Sequence, residues 1–148
     1  MTCDVELKVQ VFFYGSFINL QVLAEVGLEP ESVDVARLTG FDIRIQPLAN
    51  LVRSPEQHVY GIVCQATHAE LERLYGQAWV GTYLPEAVLV ETRSGSKLAA
   101  LCYIAPAPRV AAAAHDYIDR IAGPGRDYDF PEEYLGRIER FRAGPLPE

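Results

Sequence analysis

The residues in this chain best able to do chemistry are a glycine turn and a few carboxylates among apolar neighbours. Tyr14-Gly15-Ser16-Phe17 follows a run of alternating apolar residues. A glycine turn at a strand end can aim successive backbone N–H groups into a concavity, forming an anion nest. Ser16 adds a hydroxyl, but a nucleophilic serine needs an activating base, and none is identifiable here. Glu86 lies in Pro85-Glu86-Ala87-Val88-Leu89-Val90 and shares strand parity with Val88 and Val90. If those valines line an interior, Glu86 points inward too, and an apolar cavity would raise its pKa toward the range useful for moving protons. Glu72 sits between Leu71 and Leu74, which mark a packed side, so Glu72 is expected to face solvent.

Other chemistries find little support. Cys3, Cys64 and Cys102 have no CxxC spacing, and Cys64 and Cys102 lie in apolar runs. They read as core thiols rather than a disulfide framework or a zinc site. His58, His68 and His115 are scattered, so no metal is expected.

The elements that must position these residues follow from periodicity. Val5 to Phe13 alternates with period 2, a strand with one buried face. Asn19 caps a short helix carrying Leu20, Leu23 and Val26, closed by Gly27. Ala36 to Gln46 predicts a second strand, 47–57 a loop, and Val59 to Gln65 a central strand. Thr67 and Glu70 form a capping box for a helix over His68 to Tyr75. Glu86 to Thr92 and Leu98 to Ala105 flank Arg93-Ser94-Gly95-Ser96 as a hairpin. Val110 to Ala122 predicts a helix ended by Gly123-Pro124-Gly125. Pro131 opens a last helix, with Glu132 and Glu133 in its first turn and Arg137, Arg140 and Arg142 toward its end, as the helix dipole favours. Strands first and helices last indicate an α+β domain of five or more strands, curled into a small barrel.

Composition sets the class. At 148 residues, with 49% hydrophobic and 22% charged, the chain suits one domain over residues 1–148. The excess of 20 acids over 13 bases, a net charge of -7, argues against a nucleic-acid partner, which needs a basic face. The sequence has no membrane-length apolar run and no signal-peptide layout at its start, so a cytoplasmic location and no membrane partner are expected. It does not specify an oligomeric state.

Three pieces in this order carry a resemblance. They are Phe12-Phe13-Tyr14-Gly15-Ser16, Val59-Tyr60-Gly61-Ile62-Val63 before a capped helix, and Tyr117-Ile118 followed by Phe130-Pro131-Glu132-Glu133-Tyr134. The chain resembles the γ-glutamylcyclotransferase superfamily, including its AIG2-like branch. The pieces look like the family's Tyr-Gly-Ser signature, its V-x-G strand and the LPxEY tail of the cyclotransferase branch.

The resemblance implies a small mixed β-barrel with flanking helices and a cavity at one end. It implies a lyase- or acyltransferase-type enzyme that converts a γ-glutamyl amide to 5-oxoproline and a free amine by acid/base catalysis, with no cofactor. The substrate's own α-amine attacks its γ-carbonyl, so the nucleophile arrives attached. The protein must hold the α-carboxylate, orient the chain, and supply one carboxyl group to take a proton and pass it to the leaving amine. Glu86 is the candidate for that acid. Tyr14, Gly15, Ser16 and Phe17 are the candidate substrate-binding residues, with Tyr83 matching the family's cavity-facing tyrosine. The ligand would be a small γ-glutamyl or amino-acid-like molecule.

One position departs from the pattern. The family's catalytic glutamate sits in a motif like L-D-x-x-E-G, and here the stretch reads Leu71-Glu72-Arg73-Leu74-Tyr75-Gly76. A tyrosine, with its pKa near 10, cannot simply replace a carboxylate. The alternative reading is therefore a non-catalytic member that binds a small amino-acid or amine derivative in the same cavity. Tyr117 and Tyr134 read as packing residues, one of them able to close the cavity. Trp79 would cap either the cavity mouth or the core.

Overall fold

In the computed structural model, which describes residues 7–45, 48–77, 80, 82–106 and 115–143, five strands close into a barrel in the order β1-β3-β2-β4-β5. They are β1 (Lys8–Phe13), β2 (Asp34–Ile45), β3 (Ala49–Thr67), β4 (Leu84–Thr92) and β5 (Lys97–Ile104). Four pairings are antiparallel, and β5 returns to β1 in parallel, with Val11 opposite Leu101. The mixed barrel expected from the sequence is therefore present. Helices α1 (Leu20–Ala24), α2 (His68–Tyr75), α3 (His115–Asp127) and α4 (Glu132–Glu139) flank it, with single 3₁₀ turns at Ser16–Ile18 and Arg140–Ala143. Among the described residues no helix is long and apolar enough to cross a membrane.

Local chemistry explains most boundaries. Asn19 accepts the Gln21 N–H at the start of α1. The Thr67–Glu70 capping box forms reciprocally at α2, with Thr67 Oγ1 accepting from Glu70 N–H and Glu70 Oε1 from Thr67 N–H. Val11, Phe12 and Phe13 are all buried. A strand that buries consecutive residues must be covered on both faces, by the barrel interior and by the helices outside.

Two expectations are corrected. The loop expected over 47–57 is largely strand, because β3 starts at Ala49 and runs through Pro55. The proline is tolerated because the ladder opens there: Thr39 pairs with His58 but Phe41 with Arg53, and Gly40 in the opposing strand has φ +94. Residues 54–57 thus have no partner on β2, so the missing N–H of Pro55 costs no ladder bond. The second correction concerns α3, which continues across Gly123-Pro124-Gly125 to Asp127. Burial of Ile118, Ile121 and Ala122 fixes its packed side. A Cβ at Gly125 would lie 2.8 Å from Leu135 Cδ2 and 3.1 Å from Phe130 Cδ2. Gly125 serves close helix packing here, and tertiary burial outweighs the local stop signal. The part of the expected helix over 110–114 lies outside the described residues, as do Trp79 and Cys3.

The C-terminal helix is tied to the barrel by one guanidinium. Arg137 Nη1 donates to Asp42 Oδ1 at 2.6 Å and to Gln57 Oε1 at 2.9 Å, and Nη2 donates to the His58 carbonyl at 2.9 Å. Its plane lies 5.3 Å over the Tyr134 ring. Both Arg137 and Asp42 side chains are only 16% exposed, so the pair is poorly screened. Truncating one partner of such a pair leaves the other charge inside without compensation. Asp42 would still hold Arg44 and the Ile43 N–H, which moderates the loss. Arg137→Met is expected to lower the unfolding free energy by about 2 kcal/mol, read from urea denaturation. A change under about 0.5 kcal/mol would show that the anchor contributes only packing.

Candidate functional site

At one end of the barrel a slot opens where the end of β1 meets the start of β3. Phe13, Tyr14, Gly15, Ser16 and Phe17 form one wall, and Leu48 with Ala49 form the facing one. Tyr75 from the end of α2, Val80, Tyr83 and Tyr117 from α3 complete it. The open space is about 30 Å³, room for a group about the size of one water molecule.

Glycine at position 15 is dictated by this geometry. A Cβ there would stand 2.7 Å from Ala49 Cβ and 3.5 Å from Tyr117 Oη, so any side chain would drive the two walls apart. The Ala49 peptide is gripped at both ends. Its N–H donates to Tyr117 Oη at 2.9 Å, and its carbonyl accepts from Tyr83 Oη at 2.5 Å. Ser16 favours the Tyr117 phenolate, and among the described residues the Ala49 N–H is the donor that bonds its oxygen. Tyr14 Oη donates to the Tyr103 carbonyl at 2.7 Å. Tyr75 is held by rings: Tyr103 stacks on it at 3.9 Å and 14°, and Phe17 meets it edge-on at 5.3 Å.

The electrostatics are those of a neutral aromatic pocket. Burial, reinforced by Cys102 and the neighbouring phenols, pushes Tyr14 and Tyr75 well above the ordinary phenol range. Burial raises Tyr83 as well, and it raises Tyr117 against the opposing pull of the Ala49 and Ser16 donors. All four are therefore protonated at neutral pH. Burial also pushes the Cys102 thiol up to about 12, with Glu86 adding to it, so this cysteine is no thiolate nucleophile. Cys64, buried at the other end of its strand, is raised to about 12 by burial and then by Glu70.

The candidate residues separate into two groups. Tyr14, Gly15, Ser16, Phe17 and Tyr83 all line the slot. Glu86 does not. It stands opposite Cys102 in the β4–β5 ladder, on the interior-facing parity, yet its carboxylate is 39% exposed and ion-paired to Arg53 Nη2 at 2.6 Å. Glu72 faces solvent, as its position between Leu71 and Leu74 implies. No carboxylate lines the slot among the described residues. Nor do three or more His, Cys, Asp or Glu side chains gather anywhere among them in a metal-binding group.

Sequence reasoning missed Phe13, Leu48, Ala49, Tyr75 and Val80 as lining residues. The signal for Tyr75 was present, since it follows Leu71 by four residues and so shares its helix face. Ala49 had none, because it sits in a stretch read as loop. Tyr117 and Tyr134 divide the two roles open to them: Tyr117 lines the slot, while Tyr134 is buried against Tyr60 and Phe130.

The architecture has known counterparts. A solved structure named gamma-glutamyl cyclotransferase shares 23% identity over 96% of this chain and 90% of its own, with a TM-score of 0.75. The human protein loc79017 shares 22% over 95% of this chain and 89% of its own, with a TM-score of 0.76. YkqA from Bacillus subtilis shares 19% over 95% of this chain but 56% of its own, with a TM-score of 0.78. At these identities the likeness is one of fold. Comparison with curated proteins gives no match. The family model described as gamma-glutamyl cyclotransferase, AIG2-like, matches residues 11–129, a span that includes the slot-lining segments from β1 through α3. The chain belongs to the AIG2-like gamma-glutamyl cyclotransferase family.

Proposed function

We propose that this protein binds a γ-glutamyl or similar amino-acid-like compound in the slot and does not cyclise it. The observation that carries this reading is Tyr75. It occupies the position before Gly76 where the family pattern has its glutamate, it lines the slot, and it is a protonated phenol. Ring closure needs the substrate's α-ammonium to lose a proton before its nitrogen can attack the γ-carbonyl, and it needs a proton delivered to the departing amine. A phenol raised above its ordinary pKa by burial cannot take that first proton at neutral pH. The slot then retains binding and orientation without the proton shuttle.

A second reading keeps turnover and draws on Glu86. The observation in its favour is that Glu86 stands on the inward parity of β4, facing the buried Cys102 across the ladder. Reaching the ligand from there would require Glu86 to leave Arg53. One experiment separates the two. The protein and Glu86→Gln are incubated with a panel of γ-glutamyl peptides and γ-glutamyl amines, with calorimetry for binding and 5-oxoproline for turnover. Saturable binding and no 5-oxoproline from either form is expected. Release of 5-oxoproline by the unaltered protein, lost in Glu86→Gln, would overturn the first reading in favour of the second.

A further inference from the structure

We infer that the Tyr83 side chain is the gate of the slot, held shut by one hydrogen bond to the Ala49 carbonyl and swung aside before a ligand enters. This rests on reading the slot as a ligand site and adds how that site is kept closed. The closed slot has about 30 Å³ of open space, room for roughly one water molecule, and a γ-glutamyl group is far larger. A lining group must therefore move.

What holds each wall decides which one gives way. Phe13, Tyr14, Ser16 and Phe17 are buried in β1 and the turn after it, and Val80 is buried as well. Tyr14 Oη is tied to the Tyr103 carbonyl. Tyr75 is fixed by the Tyr103 ring stacked on it and the Phe17 ring at its edge. Tyr117 stands on α3 beside the fully buried Ile118 and takes the Ala49 N–H. Ala49, which follows Leu48 on the facing wall, pairs with Ile45 in the β2–β3 ladder. Its neighbour Asn50 is locked to the Ala105 backbone by two bonds, Nδ2 donating to the carbonyl at 3.1 Å and Oδ1 accepting from the N–H at 2.8 Å. Moving these groups breaks core packing or several bonds at once.

Tyr83 is held by much less. It precedes β4, outside any helix or strand, and its neighbours Thr82 and Leu84 are exposed. Its half-buried ring lies 5.9 Å from the Tyr75 ring at 44°, neither a stack nor an edge contact. Among the described residues its hydroxyl has a single partner, the Ala49 carbonyl at 2.5 Å. Rotation about its Cα–Cβ bond exchanges staggered rotamers, disturbs no ladder and breaks that one bond. The swing takes a whole phenol ring out of the lining and opens the space beside Gly15 and Ser16, which line the same slot. The bond keeps the open form scarce, and a site that is open only part of the time loses apparent affinity by that fraction.

The test reads opening with and without a ligand. Ser16 is buried and lines the slot, so Ser16→Cys places a thiol that a small reagent, methyl methanethiosulfonate, reaches only when the slot opens. Peptide mapping separates its labelling from that of Cys3, Cys64 and Cys102. Adding Tyr83→Phe, which keeps the ring and removes the hydrogen bond, is expected to speed labelling at position 16 about fivefold, the worth of one net hydrogen bond. Tyr134→Phe, whose hydroxyl bonds the Tyr60 carbonyl away from the slot, is the control and is expected to change the rate less than about twofold. With Ser16 restored, Tyr83→Phe is expected to bind γ-glutamyl-n-butylamide about fivefold more tightly than the unaltered chain by calorimetry. Equal labelling rates, or the same acceleration from Tyr134→Phe, overturn the gate and leave γ-glutamyl binding to stand on its own titration. Faster labelling with unchanged or weaker binding also overturns it. Faster labelling with no γ-glutamyl binding by either form upholds the gate and overturns the γ-glutamyl reading.

Discussion

Tyr75→Glu is expected to make the protein release 5-oxoproline from a γ-glutamyl amide at a rate about 10²–10⁴-fold above the unaltered chain, the range that positioned acid–base catalysis contributes. The substitution puts a carboxyl group at the end of α2, in the slot beside Phe17, Tyr83 and Tyr14. Burial there opposes its ionised form and raises its pKa, so that it can both accept the ammonium proton and return it to the leaving amine. The smaller side chain also widens the slot for the substrate. The substitution has a structural cost, because Tyr75 loses its 3.9 Å stack on Tyr103 and its edge contact with Phe17. A loss of about 2–3 kcal/mol in stability is expected, visible as a lower Tm. Tyr75→Gln matches the new side chain in shape and cannot carry the proton, so it serves as the control. If Tyr75→Glu folds and binds ligand yet makes no more 5-oxoproline than Tyr75→Gln, an acid at this position does not decide turnover.

Gly61→Ala is expected to be the most damaging single-methyl change in the barrel. Gly61 is the glycine of the Val59-Tyr60-Gly61 strand motif, where β3 passes behind the end of β1. A Cβ there would penetrate the Phe13 carbonyl oxygen and come within 2.9 Å of Phe12 Cζ. Both obstacles are rigid, one being backbone and the other a fully buried ring. Relief would require β1 and β3 to separate at the pairs Phe12–Val63 and Phe13–Ile62, next to the turn that builds the slot. A loss of about 3 kcal/mol is expected, or a Tm roughly 6–12 °C lower for a chain of this size. Ligand binding should weaken along with stability, since Tyr14 and Gly15 follow directly. Gly136→Ala is the matched control: a Cβ at Gly136 meets nothing within 4 Å, and alanine favours the helix interior. Equal Tm values for the two variants would rule out close approach as the reason for glycine at 61.

How far the sequence carried depended on the range of the physics behind each element. The capping box of α2 and the β4–β5 hairpin are set by contacts within a few residues, so their patterns were visible along the chain; the one-faced alternation expected of β1 is not what the fold uses, since Val11, Phe12 and Phe13 are all buried and Leu7 is exposed. The course of β3 through Pro55 depends on a ladder that opens opposite Gly40, which no local pattern records. The same is true of α3 across Pro124, where Leu135 of α4 and Phe130 of the segment before it pack on Gly125.

Glu86 makes the distinction concrete. Strand parity gives the face on which a side chain stands, and Glu86 does stand opposite the buried Cys102. Parity says nothing of depth along the barrel or of what reaches in from other strands. Arg53, brought near by the β2–β3 arm, engages the carboxylate instead. The sequence by itself determined the barrel, the turn at Tyr14-Gly15-Ser16-Phe17 and the presence of a tyrosine, not an acid, before Gly76, because each is written in residue type and short-range spacing. Only the tertiary structure decided that Tyr75 lines the slot, that Glu86 pairs with Arg53 outside it, and that Tyr83 and Tyr117 clamp Ala49. Those outcomes depend on which distant segments meet, and burial and closure of the whole barrel fix that.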